Sequence, residues 1–398
     1  MAKKNKKLSR PILYQIGRFC FKPFVYFKLG YRYKDYYKIG KDESVVILSN
    51  HQTDYDPIVV HYSFNKFIRC LATDNIFSGK ATGKFLRYIG TIPKRKGVTD
   101  VSSVMEMMKA VHNGDSLLIF PEGNRTFGEF QFPIDKGIVE LIKKMKVTLV
   151  LFNLHGGFGR FPRMGSKKRK GKFFGEIKSI MKYDEYKDIP NDELYKTIVD
   201  TLRVYDSESD ELYKSKAKAE NFERLFFVCP KCGSLQSIYS KGDHLLCHNC
   251  DLDVTYGEDL HFHSDNPSFK FSKLVEWYDY QRHFVLKNDF SSKEVIFEDK
   301  NVSMYLANPY VKRRYFAKKV DMKLTNKELI VGDIKINLKD ILIASPVSGR
   351  KLCITLDGKN YVIRGDKKFN AIKYVFLFNK LDTRMKQEHL DMYYRIED

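Results

Sequence analysis

The stretch VVILSNHQTDYDP, residues 45–57, decides the fold of the first half of the chain. Its apolar start, residues 45–48, has the length and composition of a buried strand. A turn and a helix start follow, so His51 is expected at the end of that strand. Asp56 lies where it can fold back and accept the Nδ1 proton of His51. Taken alone, the stretch also fits a structural His–Asp pair in a loop.

Two further strand-end loops carry polar side chains, within IFPEGNRT at residues 119–126 and GTIPKRKG at residues 90–97. The first contains a carboxylate that can accept from a hydroxyl, a glycine that permits close backbone approach, and an arginine that can hold a phosphate. Each loop alone is compatible with a turn carrying solvated charge, but the three together favour a functional site. The candidate residues are Glu122, Gly123 and Arg125 in the first loop, and Lys94 and Arg95 in the second.

The sequence does not contain the GxSxG motif that carries a nucleophilic serine in many hydrolases. The simplest chemistry is therefore general base catalysis, in which His51 deprotonates a hydroxyl that the substrate itself supplies.

Short apolar runs alternate with helix-like segments from about residue 44 to residue 179, which is the pattern of an α/β domain. We predict this domain at residues 41–215, with a mixed or parallel sheet and with function on loops that follow strand ends. The charged residues 206–220 are expected to form a linker or an exposed helix. The predicted strands are residues 45–48, 67–71, 116–120 and 148–152, and the predicted helices are residues 101–111, 138–145 and 191–204.

His51 and Asp56 match the His-x4-Asp motif of the 1-acylglycerol-3-phosphate acyltransferase family of glycerolipid acyltransferases, and residues 120–125 match its Glu-Gly-x-Arg motif. The chain resembles this family over about residues 10–205. The resemblance implies that His51 is the base and Asp56 its orienting partner in attack of a hydroxyl on an acyl thioester. It also implies substrate-binding roles for Lys94, Arg95, Glu122, Gly123 and Arg125.

The same resemblance implies acyl-CoA or acyl carrier protein as the donor. It implies a lysophospholipid acceptor, 1-acylglycerol-3-phosphate, with phosphatidic acid as the product of phospholipid biosynthesis. Another acceptor, such as glycerol 3-phosphate or a different lysophospholipid, is an open alternative. A second alternative is a non-enzymatic scaffold that binds membrane or nucleic acid. The family's fourth block, expected at residues 148–152, lacks its usual prolines, and the following loop at residues 154–163 has no assignment.

Four of the seven cysteines form two CxxC pairs, Cys229 with Cys232 and Cys247 with Cys250. Two such pairs supply four thiolates to one tetrahedral ion, so they predict a structural Zn²⁺ site in a zinc ribbon at residues 225–258. Ligation by thiolates indicates a reducing compartment. The neighbouring histidines, His244 and His248, are expected not to be ligands.

The last third of the chain changes from helical spacing to short β-type runs closed by one helix, which predicts an α+β domain. A connecting helix is predicted at residues 266–287, and residues 288–382 resemble a pleckstrin-homology or GRAM-like domain, followed by a tail at residues 383–398. Basic residues at 312–314 and 318–319 either face phospholipid headgroups or form a solvated edge strand.

The chain of 398 residues has a net charge of +21, with 43% hydrophobic and 14% aromatic residues, a composition that excludes global disorder. Residues 1–40 hold eleven basic residues and one acid, and residues 160–172 hold seven basic residues and no acid. Such patches point to nucleic acid or to an anionic membrane surface. Because residues 12–29 are aromatic and basic without a spanning apolar run, we predict residues 1–40 as an interfacial membrane segment. The expected location is the cytoplasmic face of a membrane, peripheral or monotopic, and nucleic acid is not an expected partner.

Overall fold

The structure is a computed structural model that describes residues 10–73, 80–94, 101–165, 167–306, 314–347 and 350–381. By its internal contacts the chain divides into two compact units. The N-terminal unit comprises Met1–Thr126, Gln131–Gly157 and Lys172–Tyr205. The C-terminal unit comprises Phe127–Phe130, Phe158–Gly171 and Asp206–Asp398.

The described part of the N-terminal unit contains a seven-stranded sheet. Its strands in chain order are β1 (Tyr31–Tyr33), β2 (Val45–Ser49), β3 (Ile68–Thr73), β4 (Ile92–Lys94), β5 (Ser116–Ile119), β6 (Thr148–His155) and β7 (Phe173–Met181). They lie in the order β1-β7-β6-β2-β5-β3-β4. Strands β2 to β6 are parallel, whereas β7 is antiparallel to β6 and parallel to β1. The predicted α/β domain with a mixed sheet is confirmed.

Helices connect these strands and cover the sheet. They are α1 (Arg10–Pro23), α2 (Asp56–Val59), α3 (Lys80–Tyr88), α4 (Val101–His112), α5 (Gly137–Met145), α7 (Tyr183–Tyr186) and α8 (Asn191–Leu202). The short helix α6 (Gly157–Arg160) begins at the last residue of one segment of this unit and continues in the C-terminal unit. One core cluster joins Leu48 of β2 and Ile119 of β5 to Ile142 of α5 and Ile198 of α8. Every residue of β2 and β5 is buried, as expected for central parallel strands, and this explains their continuous apolar sequences.

The N-terminal helix α1 is anchored on one side and apolar on the other. The guanidinium of Arg18 donates hydrogen bonds to the carbonyl oxygens of Tyr62, at 3.0 Å, and of Phe64. A π-helical turn, Phe24–Lys28, continues α1. Several large apolar side chains of this segment are exposed, namely Ile16, Phe19, Phe21 and Phe27. Within the described residues, no helix combines the length and apolar character needed to span a bilayer.

The boundaries of the two units differ from the predicted ones. Tyr31–Tyr33 lies in the sheet as β1, paired with β7, although residues 1–40 were expected to form an interfacial segment. Segments 127–130 and 158–171, which were placed in the predicted domain at 41–215, pack with the C-terminal unit. A strand as short as β1 has too little alternation to be recognised from its sequence.

The charged residues 206–220 are not the predicted linker or exposed helix. A short 3₁₀ turn, Asp206–Glu208, begins the segment, and the side chains of Asp206, Tyr213 and Ala219 are buried. Tyr213 packs so closely on Gly159 and Gly171 that a Cβ atom at either glycine would collide with its ring. The aromatic and small residues among the charges therefore fix the segment inside the C-terminal unit.

The basic stretch at residues 160–172 has one buried cation, although Lys167, Lys168, Lys170 and Lys172 are exposed. Arg169 is only 2% exposed. Its Nη2 atom donates to the carbonyl oxygen of Lys218 at 2.6 Å, and its guanidinium lies over the ring of Tyr256. Arg169 therefore holds the C-terminal unit together and is not part of a surface patch.

The described part of the C-terminal unit contains two antiparallel sheets. The smaller has the order β11-β10-β9-β8, from β8 (Ile238–Lys241), β9 (His244–Cys247), β10 (Asp253–Tyr256) and β11 (Phe262–His263). Helix α9 (Leu274–Lys287) begins later than the predicted residue 266, where Glu276 Oε2 accepts the backbone N–H groups of Ser272 and Lys273. The helix therefore starts at a cap that sequence periodicity does not reveal.

The larger sheet has seven strands, β12 (Phe297–Leu306), β13 (Tyr315–Leu324), β14 (Glu328–Val331), β15 (Ile334–Asn337), β16 (Ile343–Val347), β17 (Lys351–Leu356) and β18 (Lys359–Arg364). Their order is β15-β14-β13-β12-β18-β17-β16, and helix α10 (Ala371–Leu381) closes the chain segment. The predicted turn at Asp357 and Gly358 connects β17 and β18, and both residues have positive φ. The predicted tail at residues 383–398 lies outside the described residues.

Candidate active site

The loop after β2 brings His51 and Asp56 together. The Nδ1 atom of His51 lies 2.8 Å from Oδ2 of Asp56. The histidine side chain is 18% exposed, whereas the aspartate side chain is fully buried. Because a carboxylate accepts hydrogen bonds, Nδ1 carries the proton and Nε2 is left as the basic ring nitrogen.

Asp56 is fixed by the loop that it belongs to. Its Oδ2 atom accepts the backbone N–H groups of Gln52 at 2.6 Å and of Thr53 at 2.8 Å. The Thr53 hydroxyl donates to Oδ1. With these donors and His51, both oxygens of the buried carboxylate have hydrogen-bond partners. Thr53 thus contributes directly to the arrangement of the pair.

Glu122 binds the backbone on both sides of the site. Its Oε1 atom accepts the backbone N–H of His51 at 3.0 Å, and its Oε2 atom accepts the backbone N–H of Phe132 at 2.9 Å. Burial raises the pKa of Glu122 to about 8, although both backbone donors act to lower it. Sequence reasoning expected Glu122 to bind the acceptor and missed this positioning contact with His51.

Other contacts join the second motif loop to the first. The backbone N–H of Thr126 donates to the carbonyl oxygen of His51 at 2.9 Å. The ring of Phe120 stacks on the imidazole of His51, with 4.2 Å between ring centroids. Gly123 has φ of +63°, and a Cβ atom there would meet open space, so the turn requires glycine for its backbone conformation.

Arg125 is paired with a carboxylate that sequence reasoning did not select. Its Nη1 atom lies 2.8 Å from Oδ2 of Asp54, in the middle of the His51 loop. Asp54 occupies one of the four variable positions of the His-x4-Asp motif, so its residue type alone does not predict a contact with Arg125. The structure brings Arg125 to the loop that carries His51.

Asn50 and Gln52 fasten the same loop to the end of β6. The amide of Asn50 donates to and accepts from the backbone of Leu154, at 2.9 and 2.7 Å. Gln52 Oε1 accepts the backbone N–H of Gly157 at 2.8 Å. Leu154 and Gly157, in the loop at residues 154–163 to which the sequence assigns no role, therefore hold the His51 loop in place. The signal in the sequence is a pair of amides flanking His51.

Lys94 lies apart from the other candidates. It ends β4, at the edge of the sheet, and its side chain is exposed. Strands β5 and β3 lie between β4 and β2, so three strand spacings, about 14 Å, separate β4 from the strand that carries His51. Arg95 lies outside the described residues.

The four predicted cysteine ligands converge in the C-terminal unit. The Sγ atoms of Cys229 and Cys250 are 3.6 Å apart, those of Cys232 and Cys247 are 3.8 Å apart, and all four lie within 4.8 Å of one another. Tetrahedral Zn²⁺ with bonds of about 2.3 Å to sulfur places its ligand atoms about 3.8 Å apart. The four residues therefore fit a tetrahedral metal ion.

The neighbouring histidines have other partners. His244 Nδ1 lies 2.7 Å from a carboxylate oxygen of Asp253, and the His248 ring stacks on Tyr239. Both contacts agree with an all-cysteine ligand set.

Comparisons with known proteins bear on the N-terminal unit. Residues 31–152 match the family model described as Acyltransferase. A similar solved structure is the 1-acyl-sn-glycerophosphate (LPA) acyltransferase, PlsC, from Thermotoga maritima, which is 19% identical over 48% of this chain and 77% of that chain, with a TM-score of 0.39. Among curated proteins, none matches the chain. The family match supports an acyltransferase-family domain at residues 31–152, the stretch that contains the loops of His51 and Glu122.

Proposed function

We propose that this protein transfers a fatty acyl group from an acyl thioester to 1-acylglycerol-3-phosphate and so forms phosphatidic acid for phospholipid synthesis. The observation that carries the proposal is the 2.8 Å contact between His51 Nδ1 and the buried Asp56 carboxylate. A base held in this way suits a reaction in which the acceptor brings its own hydroxyl, and the one threonine hydroxyl of the two motifs, that of Thr53, donates to Asp56.

In the proposed reaction, His51 Nε2 removes the proton from the free hydroxyl of the acceptor as the hydroxyl oxygen attacks the thioester carbonyl carbon. The new carbon–oxygen bond gives a tetrahedral intermediate, which collapses as the carbon–sulfur bond breaks. The proton held on His51 then passes to the departing thiolate, and the free thiol leaves. Asp56 stabilises the imidazolium that exists between the two proton transfers.

Arg125 is proposed to bind the acceptor's phosphate, since a guanidinium offers two parallel N–H groups to phosphate oxygens. Its contact with Asp54 places it beside the loop of the base. Lys94 and Arg95 are proposed as further phosphate contacts on the sequence resemblance alone, since Lys94 lies three strand spacings from β2 and Arg95 lies outside the described residues. The donor is acyl-CoA or acyl carrier protein, and an acidic carrier suits a chain with a net charge of +21.

The proposed place of action is the cytoplasmic face of a membrane, where the chain binds as a peripheral or monotopic protein. The exposed aromatic side chains of α1 and the following turn, Phe19 at 78% and Phe27 at 83%, support this proposal. Aromatic and basic residues on one segment favour the interface between headgroups and acyl chains. An acceptor embedded in a bilayer would reach the enzyme at that interface.

The four cysteines are proposed to hold Zn²⁺. With four thiolate ligands the ion has no open coordination position, so its contribution would be to stabilise the fold. This ion is assigned no step of acyl transfer. The ribbon and the seven-stranded sheet with α10 are proposed as docking modules, the latter similar to a pleckstrin-homology domain.

The experiment incubates the purified full chain with vesicles that contain a panel of lysolipids and glycerol 3-phosphate, with acyl-CoA or acyl carrier protein as donor. Mass spectrometry identifies the products. Phosphatidic acid from 1-acylglycerol-3-phosphate would support the proposal. A different acylated product would reassign the acceptor, and no product with any pair would contradict acyl transfer.

A further inference from the structure

Asp54 is paired with the guanidinium of Arg125, which in the proposed function binds the acceptor's phosphate. Its Oδ2 atom lies 2.8 Å from Arg125 Nη1. The anion beside this cation is therefore a carboxylate of the chain itself. Asp54 also lies three residues after His51, on the loop that carries the base.

The two partners differ in exposure. The Asp54 side chain is 74% exposed, whereas that of Arg125 is 19% exposed. The arginine side chain is thus mostly buried in the site, and the carboxylate reaches it from the solvent side. An ion pair with one solvated partner contributes little to stability, so it opens readily.

Asp54 is distinct from the buried aspartate of the pair. Asp56 has no exposed surface and accepts hydrogen bonds from His51, Gln52 and Thr53. Asp54 can therefore leave Arg125 without disturbing the contact that orients the base.

A phosphate monoester competes well for the same guanidinium. It offers two oxygens at the spacing of the guanidinium N–H groups and carries up to two negative charges, where a carboxylate carries one. An acceptor without a phosphate has no group that can replace the carboxylate of Asp54.

We propose that Asp54 is a competing residue at the acceptor site: it occupies Arg125 in the absence of acceptor, and the phosphate of an acceptor must displace it. This inference rests on the proposed function. It makes Asp54 an internal competitor that raises the KM for phosphate-bearing acceptors. The chemical step at His51 does not depend on it.

The test is the variant Asp54→Asn, which keeps the size of the side chain and removes its charge. The KM for 1-acylglycerol-3-phosphate should fall about two- to sixfold, because an ion pair with one solvated partner is expected to be closed for between about half and five-sixths of the time. The kcat at saturating acceptor should stay within about twofold of the parent. Asp54→Glu keeps a carboxylate and should keep a KM close to that of the parent.

The matched control is Asp42→Asn, which removes the same charge from an exposed position of the same unit. Asp42 precedes β2, and Asp54 follows it, so the two lie beyond opposite ends of that strand. The control should leave both kinetic constants unchanged. An equal fall of KM in the control would assign the effect to net charge and overturn the proposal.

Two other results would also overturn it. A KM that stays the same or rises in Asp54→Asn would show that the carboxylate does not compete with the acceptor. A large fall in kcat at unchanged KM would show that the ion pair holds the His51 loop in place.

A binding measurement separates this inference from the proposed function. Titration calorimetry with glycerol 3-phosphate needs no turnover, and Asp54→Asn should bind it about two- to sixfold more tightly than the parent. If the parent transfers no acyl group, the proposed function fails while this measurement still decides the role of Asp54. Equal binding by parent and variant would overturn the inference even in an active acyltransferase.

Discussion

The Oε1 atom of Glu122 accepts the backbone N–H of His51 at 3.0 Å, so the second motif loop holds the first at the base itself. The other carboxylate oxygen accepts the backbone N–H of Phe132. One buried side chain thereby fixes the loop of the base and the segment that follows its own loop. The two motif loops are therefore connected by a hydrogen bond to Glu122.

Replacement of Glu122 by glutamine should slow the chemical step. Glutamine has one acceptor oxygen, so one of the two buried backbone N–H groups loses its partner. A displaced His51 loop should lower kcat about 10- to 100-fold, with the KM for the acceptor within about twofold. Steady-state kinetics at varied acceptor concentration measure both constants. A raised KM at unchanged kcat would contradict the positioning role and favour direct acceptor binding. Glu140→Gln, at an exposed position of α5, is the control.

The same carboxyl group predicts a pH dependence of stability. Burial raises the pKa of Glu122 to about 8, above the value of about 4.3 that glutamate has in an unfolded chain. Between these pH values the folded state keeps a proton that the unfolded state has lost, so the free energy of unfolding falls as pH rises through this window. We therefore expect the free energy of unfolding, measured with urea from pH 5 to pH 8, to fall less steeply with pH in Glu122→Gln than in the parent. Identical slopes in parent and variant would count against a protonated Glu122.

The exposed aromatic residues of the N-terminal segment predict a measurable membrane affinity. Replacement of both Phe19 and Phe27 by serine should lower binding to anionic vesicles at least about tenfold, because each buried phenylalanine contributes about 1.5–3 kcal/mol. Vesicle co-sedimentation measures the change. Leu342→Ser, at an apolar position of the C-terminal unit that is 53% exposed, is the control. Unchanged vesicle binding in the double variant would show that Phe19 and Phe27 do not contribute to membrane binding.

The cysteine cluster predicts one zinc ion per chain. Elemental analysis of the purified protein should find it, and a chelator should lower the thermal stability of the C-terminal unit, because the free energy of metal binding contributes to the free energy of folding. Cys247→Ser should lose the metal, whereas Cys20→Ser, at an exposed position of α1, should keep it. A protein that holds no zinc, and whose hydrogen exchange at β8 and β9 does not respond to the chelator, would contradict the assignment.

The parts of the fold that the sequence predicts are those marked by a run of apolar residues or by a metal-binding motif. Strands β2, β5 and β6 are apolar along their length because neighbouring strands and helices cover both faces. The cysteines are recognisable because each CxxC pair brings two thiols to one turn, and the structure does gather all four. By contrast, β1 has three residues, and the burial of β7 changes along its length, from buried and partly buried positions to partly buried and exposed ones.

The sequence predicts which residues belong to the candidate site better than it predicts the contacts that they make. The motif spacing identifies His51 and Asp56, and the structure places them in hydrogen-bond contact. The sequence cannot show that Glu122 faces backbone donors or that Arg125 faces Asp54, because these contacts depend on how two distant loops meet. The buried Arg169 is a further case, since a run of basic residues predicts exposure and the fold places one of them inside.

Acyl transfer by His51→Ala tests directly whether His51 is the general base. Parent and variant are compared with 1-acylglycerol-3-phosphate in vesicles and each thioester donor, and His112→Ala, at the exposed end of α4, is the control. We predict that His51→Ala folds normally and loses activity at least about 100-fold, because its general base is gone, while the control keeps the parent rate. Transfer by a folded His51→Ala at the parent rate would contradict it.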